Sequence, residues 1–398
     1  MNALIDYKLL TTSLAFPNSD NTAIPGIFIK NQLDSINDSF SEVTVITPKP
    51  RKFGFLDKNP HLTDYNYNNV KVLFPKIFYI PRGGLKWFAI DKLQKSIKKV
   101  ITGKKVEFDL IHAHNGIMGR SCVEISREYK KPLLTSFYGY DAYMKMYDSR
   151  YYRNLLTEAT TILTLSDHMS QHFEKMGCSP YKIKKLHLGV DVNYFRPKDQ
   201  QTTIEDGECV EILLVAHFVE KKGIFNAIKA FVNVFKIHKN IRLDLVGRGP
   251  LRDQIEDMIL SLNLQDKIRI TDNYSMSNPR QTVLNFMQNC DIFMLPSITG
   301  STGDSEGTPV VLMEASACAK PCITTFHSGN PEVVLNNKTG IVVPEGNVEE
   351  LEKALRKLIT DDDLRNNLGL NGRKHIMNEF NSLIQSKKLI KIFEKVLE

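Results

Sequence analysis

In the second half of the chain, short apolar runs alternate with longer stretches whose apolar residues recur at helical spacing. Glu211 to Ala216, Ile241 to Val246, Asp291 to Leu295 and Pro321 to Thr325 are short runs closed by turn residues. That is the pattern of strands buried on both faces of a parallel sheet. Ile224 to His238, between the first two, is spaced as an amphipathic helix. Strand and helix alternating in this way predict an open parallel sheet with helices on both faces. In the first half, Tyr7 to Thr12, Ser41 to Thr47 and Phe108 to His112 read as strands. Phe16 to Gly26 is a polar loop leading into a helix, and Gly84 to Lys105 brings Leu85, Phe88, Leu93, Ile97 and Ile101 onto one helical face. Helical patterns over Glu349–Ile359, Leu364–His375 and Ile376–Glu398 close the chain, the last carrying Phe380, Leu383, Ile384 and Leu389.

Candidate chemistry concentrates in the stretch DSEGTPVVLMEA, which starts at Asp304. Glu306 and Glu314 stand eight residues apart there, with Gly307-Thr308-Pro309 after the first. Thr308 is an expected N-cap and Pro309 an expected first helical residue. The unpaired N–H groups of a first helical turn suit a phosphate, and Gly307 would let the backbone approach one closely. A carboxylate only accepts, so both glutamates suit hydroxyl donors such as those of ribose or hexose. The other reading of the same residues is a buried helix with one solvated and one capping glutamate. Ligands of open parallel sheets bind outside the carboxyl ends of the strands. That end gathers Gly247-Arg248-Gly249-Pro250, Lys221-Lys222-Gly223, Ser297, Glu306 and the 327–332 loop into one cleft.

Six segments in order resemble the nucleotide-sugar-dependent retaining glycosyltransferases of family four. They are the Glu306–Glu314 element, AHFVEKKG at Ala216–Gly223, Leu295-Pro296-Ser297, HLGVDVNYFRP at His187–Pro197, Gly26 to Gln32, and Tyr138-Gly139-Tyr140-Asp141. GSTGDSEGTPVVLMEA followed by HSGNPE is similar to the bacterial exopolysaccharide branch, colanic acid enzymes included. The resemblance spans nearly the whole chain. It implies the α/β GT-B fold, two Rossmann-like, doubly wound parallel-sheet domains facing across a cleft. The expected division is an acceptor domain over 1–190, a nucleotide-sugar domain over 191–375, and a final helix over 376–398 that crosses back to the first. It implies transfer of a sugar from a nucleotide diphosphate sugar to a hydroxyl of a glycan acceptor, lipid-linked in surface polysaccharide synthesis.

The same resemblance places Glu314 on the ribose, Glu306 on the transferred sugar, and Lys222 on the diphosphate. Gly26, Gly249, Gly307 and Thr308 join the donor site, Asp141 and Tyr138 the catalytic set. Two positions depart from the family: His217 stands where arginine is common, and Tyr138 where many members have histidine. Histidine is a weaker, pH-dependent cation, and tyrosine does not carry a proton at neutral pH in the same way.

At 398 residues the chain exceeds one ordinary core and calls for two domains. Its six cysteines are scattered, which fits buried thiols in a reducing cytoplasm. No apolar stretch reaches transmembrane length, and no signal segment opens the sequence. Charge is uneven: residues 1–200 hold 29 Lys/Arg against 19 Asp/Glu, and residues 51–105 hold 13 against 3. With Lys92, Lys95, Lys98 and Lys99 beside the apolar stripe of 84–105, this suggests a helix lying on an anionic membrane surface at the inner face. The alternative is a stripe that packs on the sheet beneath solvated lysines. No nucleic-acid module is recognisable. His112 and His114 share a strand face, and a polar contact in the cleft suits His114 better than a metal. Asp361-Asp362-Asp363 sits between two helices and reads as a cap. No cofactor and no required metal are expected. Besides the transferase, a nucleotide-sugar epimerase of the same fold and a non-catalytic, transferase-like binding partner remain open.

Overall fold

A computed structural model of the protein describes residues 4–19, 26–50, 62–77, 86–198 and 209–398. The chain divides into two compact units. One comprises Met1–Ala142, Met146–Leu186 and Gln385–Glu398; the other comprises Tyr143–Lys145 and His187–Ile384.

The first unit is built on an eight-stranded sheet. From edge to edge its strands are Ile183–Lys185, Thr161–Thr164, Leu133–Ser136, Leu110–His114, Lys8–Thr12, Glu42–Ile46, Val70–Leu73 and Tyr65–Tyr67. All neighbours are parallel except the last pair, an antiparallel edge. The strands Lys8–Thr12 and Glu42–Ile46 pair in register from Lys8–Glu42 to Thr12–Ile46, which fixes the face each side chain takes. The sequence-predicted strand at 108–112 begins two residues later, at Leu110, because the chain ladders with Lys8–Thr12 only from Leu110 on. His112 and His114 both lie in it, ring centroids 4.1 Å apart.

The helix Lys86–Gly103 lies on this unit. Its Ile90, Leu93, Ile97 and Ile101 are buried, and Lys98 pairs with Glu128 on the helix Gly116–Tyr129. The apolar stripe therefore faces the protein core and not a membrane. Burying four aliphatic side chains against an available hydrophobic face yields about 1.5–3 kcal/mol each, and the fold itself supplies that face. Leu85, the side chain of Phe88 and residues 51–61 of the basic stretch lie outside the described residues.

The second unit carries a six-stranded, wholly parallel sheet ordered Ile268–Thr271, Ile241–Val246, Val210–Val215, Ile292–Leu295, Cys322–Thr325 and Gly340–Val343. Its central strands are almost entirely buried apolar residues, as a sheet covered on both faces requires. Two side-chain hydrogen bonds tie neighbouring segments beyond the ladder. Thr324 Oγ1 donates to Leu295 O at 2.8 Å, and Thr325 Oγ1 to Ser297 O.

The end of the chain is not one helix over 376–398. The helix Asp362–Glu379 runs on through Ile376, and a second covers Ser382–Leu397. Phe380, 1% exposed, turns into the core at the break, Asn381 bridges to Val190, and Asn381 Oδ1 accepts from Leu383 N–H to restart the helix. Of this last helix, Leu389 and Phe393 belong to the core of the first unit. Phe393 meets the rings of Phe40 and His112 edge-on. Asp361 caps the preceding helix by accepting from Leu364 N–H. Among the described residues no helix is long and apolar enough to cross a membrane.

Candidate functional site

In the second unit, a turn of 3-10 helix at Glu220–Lys222 follows the strand Val210–Val215. Each of its residues grips the loop after Ile292–Leu295. Glu220 accepts from Ser301 N–H and Oγ. Lys221 donates to Asp304 at 2.9 Å, and its carbonyl accepts from Ile298 N–H. Lys222 donates to Glu306 Oε1 at 2.6 Å. The turn closes through Gly223 at φ +64°, whose added Cβ would lie 1.9 Å from Pro296 O. Only glycine combines that left-handed backbone with so close an approach.

Glu306 is nearly closed off from solvent, its side chain 7% exposed and that of Lys222 14%. Ser297 Oγ donates to the same carboxylate oxygen at 3.3 Å. Burial pushes the Glu306 carboxyl up, but Lys222 and Lys221, with His327, outweigh it and hold the group below the ordinary glutamate value. His327 accepts from Glu306 N–H at Nε2, 3.1 Å, and contacts Ser305 Oγ at 2.9 Å with the same nitrogen. An accepting Nε2 leaves the proton on Nδ1, where it is donated to Glu345 at 2.8 Å. Ser328 Oγ donates to Glu306 O, and Gly329 N–H to Gly307 O. The backbone of the sequence-predicted element is thus held from both sides.

The helix that follows covers Val310–Ala317, one residue later than expected. Pro309, at ψ 116°, is its N-cap, and Thr308 makes no cap hydrogen bond. The ψ of Pro309 lies outside the helical region, so the first turn starts after it. Thr308 Oγ1 is buried and has no partner. A hydroxyl desolvated beside a helix N-terminus without a partner costs about 1–3 kcal/mol and favours an acceptor arriving from outside. Glu314, one turn further along, makes no side-chain hydrogen bond or ion pair among the described residues. Burial raises its pKa to about 7, against a smaller opposing pull from Arg280. Arg280 stacks its guanidinium on the Tyr194 ring at 4.0 Å.

His217 is exposed and Gly249 lies beside its turn, where an added Cβ would stand 2.5 Å from the Phe218 backbone. Lys222, Ser297, Glu306, Gly307 and Thr308 come together in this unit, with His217 and Gly249 on neighbouring turns. Sequence reasoning missed Arg280 and the Ser305–His327–Glu345 relay. His327 stood in a recognised loop, but nothing in the sequence points from it to Glu345, and Arg280 sits in the unremarkable first turn of the helix Pro279–Asn289.

The remaining predicted residues form a second cluster, within the first unit. Gly26, at φ +84°, opens the helix Ile27–Asp34, and a Cβ there would meet Ala15 O at 2.2 Å. Phe28 of that helix packs edge-on against Tyr138, centroids 4.8 Å apart. The Tyr138 hydroxyl shares a 2.5 Å hydrogen bond with His114 Nδ1. Burial, with His112 alongside, drives the His114 pKa well down; burial drives that of Tyr138 up. Asp141 is buried and its two oxygens accept from Tyr138 N–H and Gly116 N–H at 3.0 and 2.8 Å. Its carboxylate is committed to holding the loop. Among the described residues no group of three His, Cys, Asp or Glu side chains is placed to hold a metal ion.

Two Rossmann-like units of this kind are the architecture of the GT-B fold. The family description Glycosyltransferase Family 4 matches residues 38–194, and Glycosyl transferases group 1 matches residues 195–375. The chain is 30% identical to a protein named as a candidate colanic acid biosynthesis glycosyltransferase, WcaL, of Salmonella typhimurium, over 72% of this chain and 71% of that one. It is 26% identical to the amylovoran biosynthesis glycosyltransferase AmsK of Erwinia amylovora, over 98% and 100%. Its fold is similar to that of sucrose-phosphate synthase from Thermosynechococcus elongatus, with TM-score 0.78, 17% identity and coverage of 98% and 99%. HepE of Anabaena, solved with UDP and glucose, superposes with TM-score 0.72 at 17% identity, covering 97% and 99%. The chain belongs to the family-four glycosyltransferases, and it is an enzyme of the transferase class.

The elevated Glu314 pKa sets a pH dependence of stability. Folded, the group holds its proton up to about pH 7, whereas an unperturbed glutamate releases it near 4.5. Its stabilising contribution is therefore complete below pH 4.5 and is lost as pH rises to 7, by roughly 1.4 kcal/mol per unit. Glu314→Gln should abolish that loss. In denaturant titrations of the ligand-free protein, the variant should gain on the wild type between pH 5 and 8 by about 2 kcal/mol; an unchanged difference would place Glu314 in a hydrated environment.

Proposed function

We propose that the protein moves a sugar from a nucleotide diphosphate sugar to a hydroxyl of a glycan acceptor, with retention at the anomeric carbon, in the synthesis of a surface polysaccharide. The observation that carries this reading is the buried, ionised Glu306 paired with Lys222, directly before a helix N-terminus whose Thr308 hydroxyl is unpaired. A carboxylate fixed in this way accepts from sugar hydroxyls, while the helix start and Lys222 stabilise charge developing on the departing diphosphate. Glu314 receives the ribose hydroxyls. His217 faces solvent and is free to meet a phosphate.

In the reaction the anomeric carbon–oxygen bond to phosphate breaks and its electron pair stays on the phosphate. The acceptor oxygen bonds to the same face of the sugar, and its proton passes to the leaving phosphate. A double-displacement route needs a free carboxylate facing the sugar. Asp141, with both oxygens held by backbone N–H groups, is poorly suited to serve. The names of the relatives, colanic acid and amylovoran biosynthesis glycosyltransferases, support the polysaccharide setting. HepE, solved with UDP and glucose, supports a nucleotide diphosphate donor.

A lipid-linked acceptor would draw the enzyme to the inner face of a membrane. The apolar stripe of the helix Lys86–Gly103 is buried, so attachment would rest on its exposed Lys92, Lys95 and Lys99, each contributing about 1 kcal/mol near an anionic leaflet. Replacing these three by glutamine should abolish low-salt sedimentation with anionic vesicles; sedimentation that survives would exclude this helix as the contact.

Glu314→Ala tests the donor assignment. Calorimetry should show weaker binding of the nucleotide diphosphate itself, by about tenfold or more for lost charged hydrogen bonds, with or without the sugar. Unchanged affinity in a folded variant would remove Glu314 from the ribose. Transfer should also persist in excess chelator, and its loss with rescue by magnesium or manganese would add a metal to the mechanism.

A further inference from the structure

The proposed reaction leaves the Ser305–His327–Glu345 link of the second unit without a task. Its anchors come from the carboxyl ends of three strands that are neighbours in the sheet. Thr299 follows Ile292–Leu295, His327 follows Cys322–Thr325, and Glu345 follows Gly340–Val343. Because these strands are parallel, their loops leave at the same edge, and a carboxylate on the third can reach both of the others. Glu345 does so: one oxygen accepts from Thr299 N–H and the other from His327 Nδ1 at 2.8 Å. Thr325 Oγ1 donating to Ser297 O and Phe326 N–H donating to Val343 O hold the three loops at that spacing. Burial pushes the Glu345 carboxyl up, but Thr299 N–H and His327 outweigh it and hold the group below the ordinary glutamate value. Glu345 is therefore a standing acceptor.

What Glu345 decides is the tautomer of His327. Which ring nitrogen carries the proton is set by the hydrogen bond that the other makes. The imidazole is 2% exposed, so the protein and not water supplies its partners. Glu306 N–H can only donate, and at 3.1 Å it needs a bare Nε2. A proton on Nε2 would set two donors against each other at that contact and leave Glu345 facing an unprotonated Nδ1. With Glu345 accepting at Nδ1, Nε2 stays open to receive Glu306 N–H and to meet Ser305 Oγ. The Glu306 backbone is in this way held in the pose in which its carboxylate meets Lys222.

We propose that Glu345 is a positioning residue for the donor sugar: it fixes the His327 tautomer, and His327 in turn holds Glu306 where the hydroxyls of the transferred sugar are received. The inference rests on the transferase reading above and adds to it a residue that touches neither sugar nor nucleotide. A plain staple between loops would need only an acceptor for Thr299 N–H. Control of the tautomer needs an acceptor at His327 Nδ1 as well, and that difference can be measured.

Nitrogen-15 NMR of the ligand-free full chain tests the tautomer, the His327 signals being assigned by their loss in His327→Gln. In the wild type the proton should sit on Nδ1, and in Glu345→Ala an Nε2-protonated form should appear. Glu345→Gln, whose amide oxygen still accepts from Nδ1, should keep the wild-type form. Calorimetry with two probe pairs, UDP with UDP-glucose and GDP with GDP-mannose, reads the consequence. For the pair that binds, Glu345→Ala should weaken the nucleotide sugar by about tenfold, the weight of one hydrogen bond to a carboxylate. The bare diphosphate should bind unchanged, and Glu345→Gln should restore most of the loss. A wild-type proton on Nε2, or an Nδ1 form that persists in Glu345→Ala, overturns the proposal. So does a nucleotide-sugar affinity equal in all variants, or a loss that the bare nucleotide shares in full. Failure of both pairs to bind the wild type would strike instead at the transferase reading, while the NMR result still decides whether Glu345 sets the tautomer.

Discussion

A carboxylate taken out of water must be paired, and in the second unit that requirement organises everything around Glu306. An isolated buried charge costs several kcal/mol even after relaxation. Lys222 answers it at 2.6 Å, but a lysine can be presented there only if its backbone is fixed. The Glu220–Lys222 turn provides this because all three of its residues grip the 298–306 loop. Gly223 is the consequence: the turn must leave in the left-handed region against Pro296 O. On the other side, His327 accepts from Glu306 N–H and donates a hydrogen bond from Nδ1 to Glu345. The polar groups of this cluster are thus oriented by the fold itself, as the proposed electrostatic role would require.

The first-unit cluster is governed by desolvation. His114 is kept neutral, Tyr138 is kept protonated, and Asp141 spends both oxygens on backbone N–H groups. Neither the imidazole nor the phenol is poised to exchange a proton near neutrality. Burial raises the Asp141 carboxyl above its ordinary value while both its oxygens stay engaged by backbone N–H groups, so the cluster offers chiefly hydrogen-bonding surface. A mechanism in which the leaving phosphate takes the acceptor proton needs no base from this unit. The replacement of a titrating histidine by Tyr138 then costs less than its position in the motif suggests.

How much of this the sequence disclosed follows from how local each signal is. Apolar periodicity located the strands at 241–246 and 210–215 and the helix from Ile224 almost to the residue, because a parallel sheet buried on both faces leaves a near-continuous apolar run. The Glu306–Lys222 neighbourhood was legible through motifs that lie at the carboxyl ends of adjacent strands. The break at Phe380 was not legible: the apolar spacing continues through it, and only the bridge from Asn381 to Val190, far back in sequence, shows the chain must turn. The buried stripe of Lys86–Gly103 illustrates the same limit. Amphipathicity shows that one face seeks an apolar partner, and only the packing shows that the partner is the protein.

Glu306 and Glu314 are the same residue type eight positions apart, and their surroundings drive them in opposite directions. Both are buried. Glu306 has two lysines and stays ionised, so its charge belongs to the apo structure and its role is geometric. Glu314 is desolvated without a paired cation, which raises its pKa to about 7, and on the proposed donor assignment its charge would be settled by the hydroxyl that enters beside it. A hydroxyl donating to Glu314 favours the ionised form, which couples ligand entry to release of a proton. That division follows from the element's spacing: one carboxylate is held at the loop by the lysine turn, and the other is carried into the helix beyond reach of it.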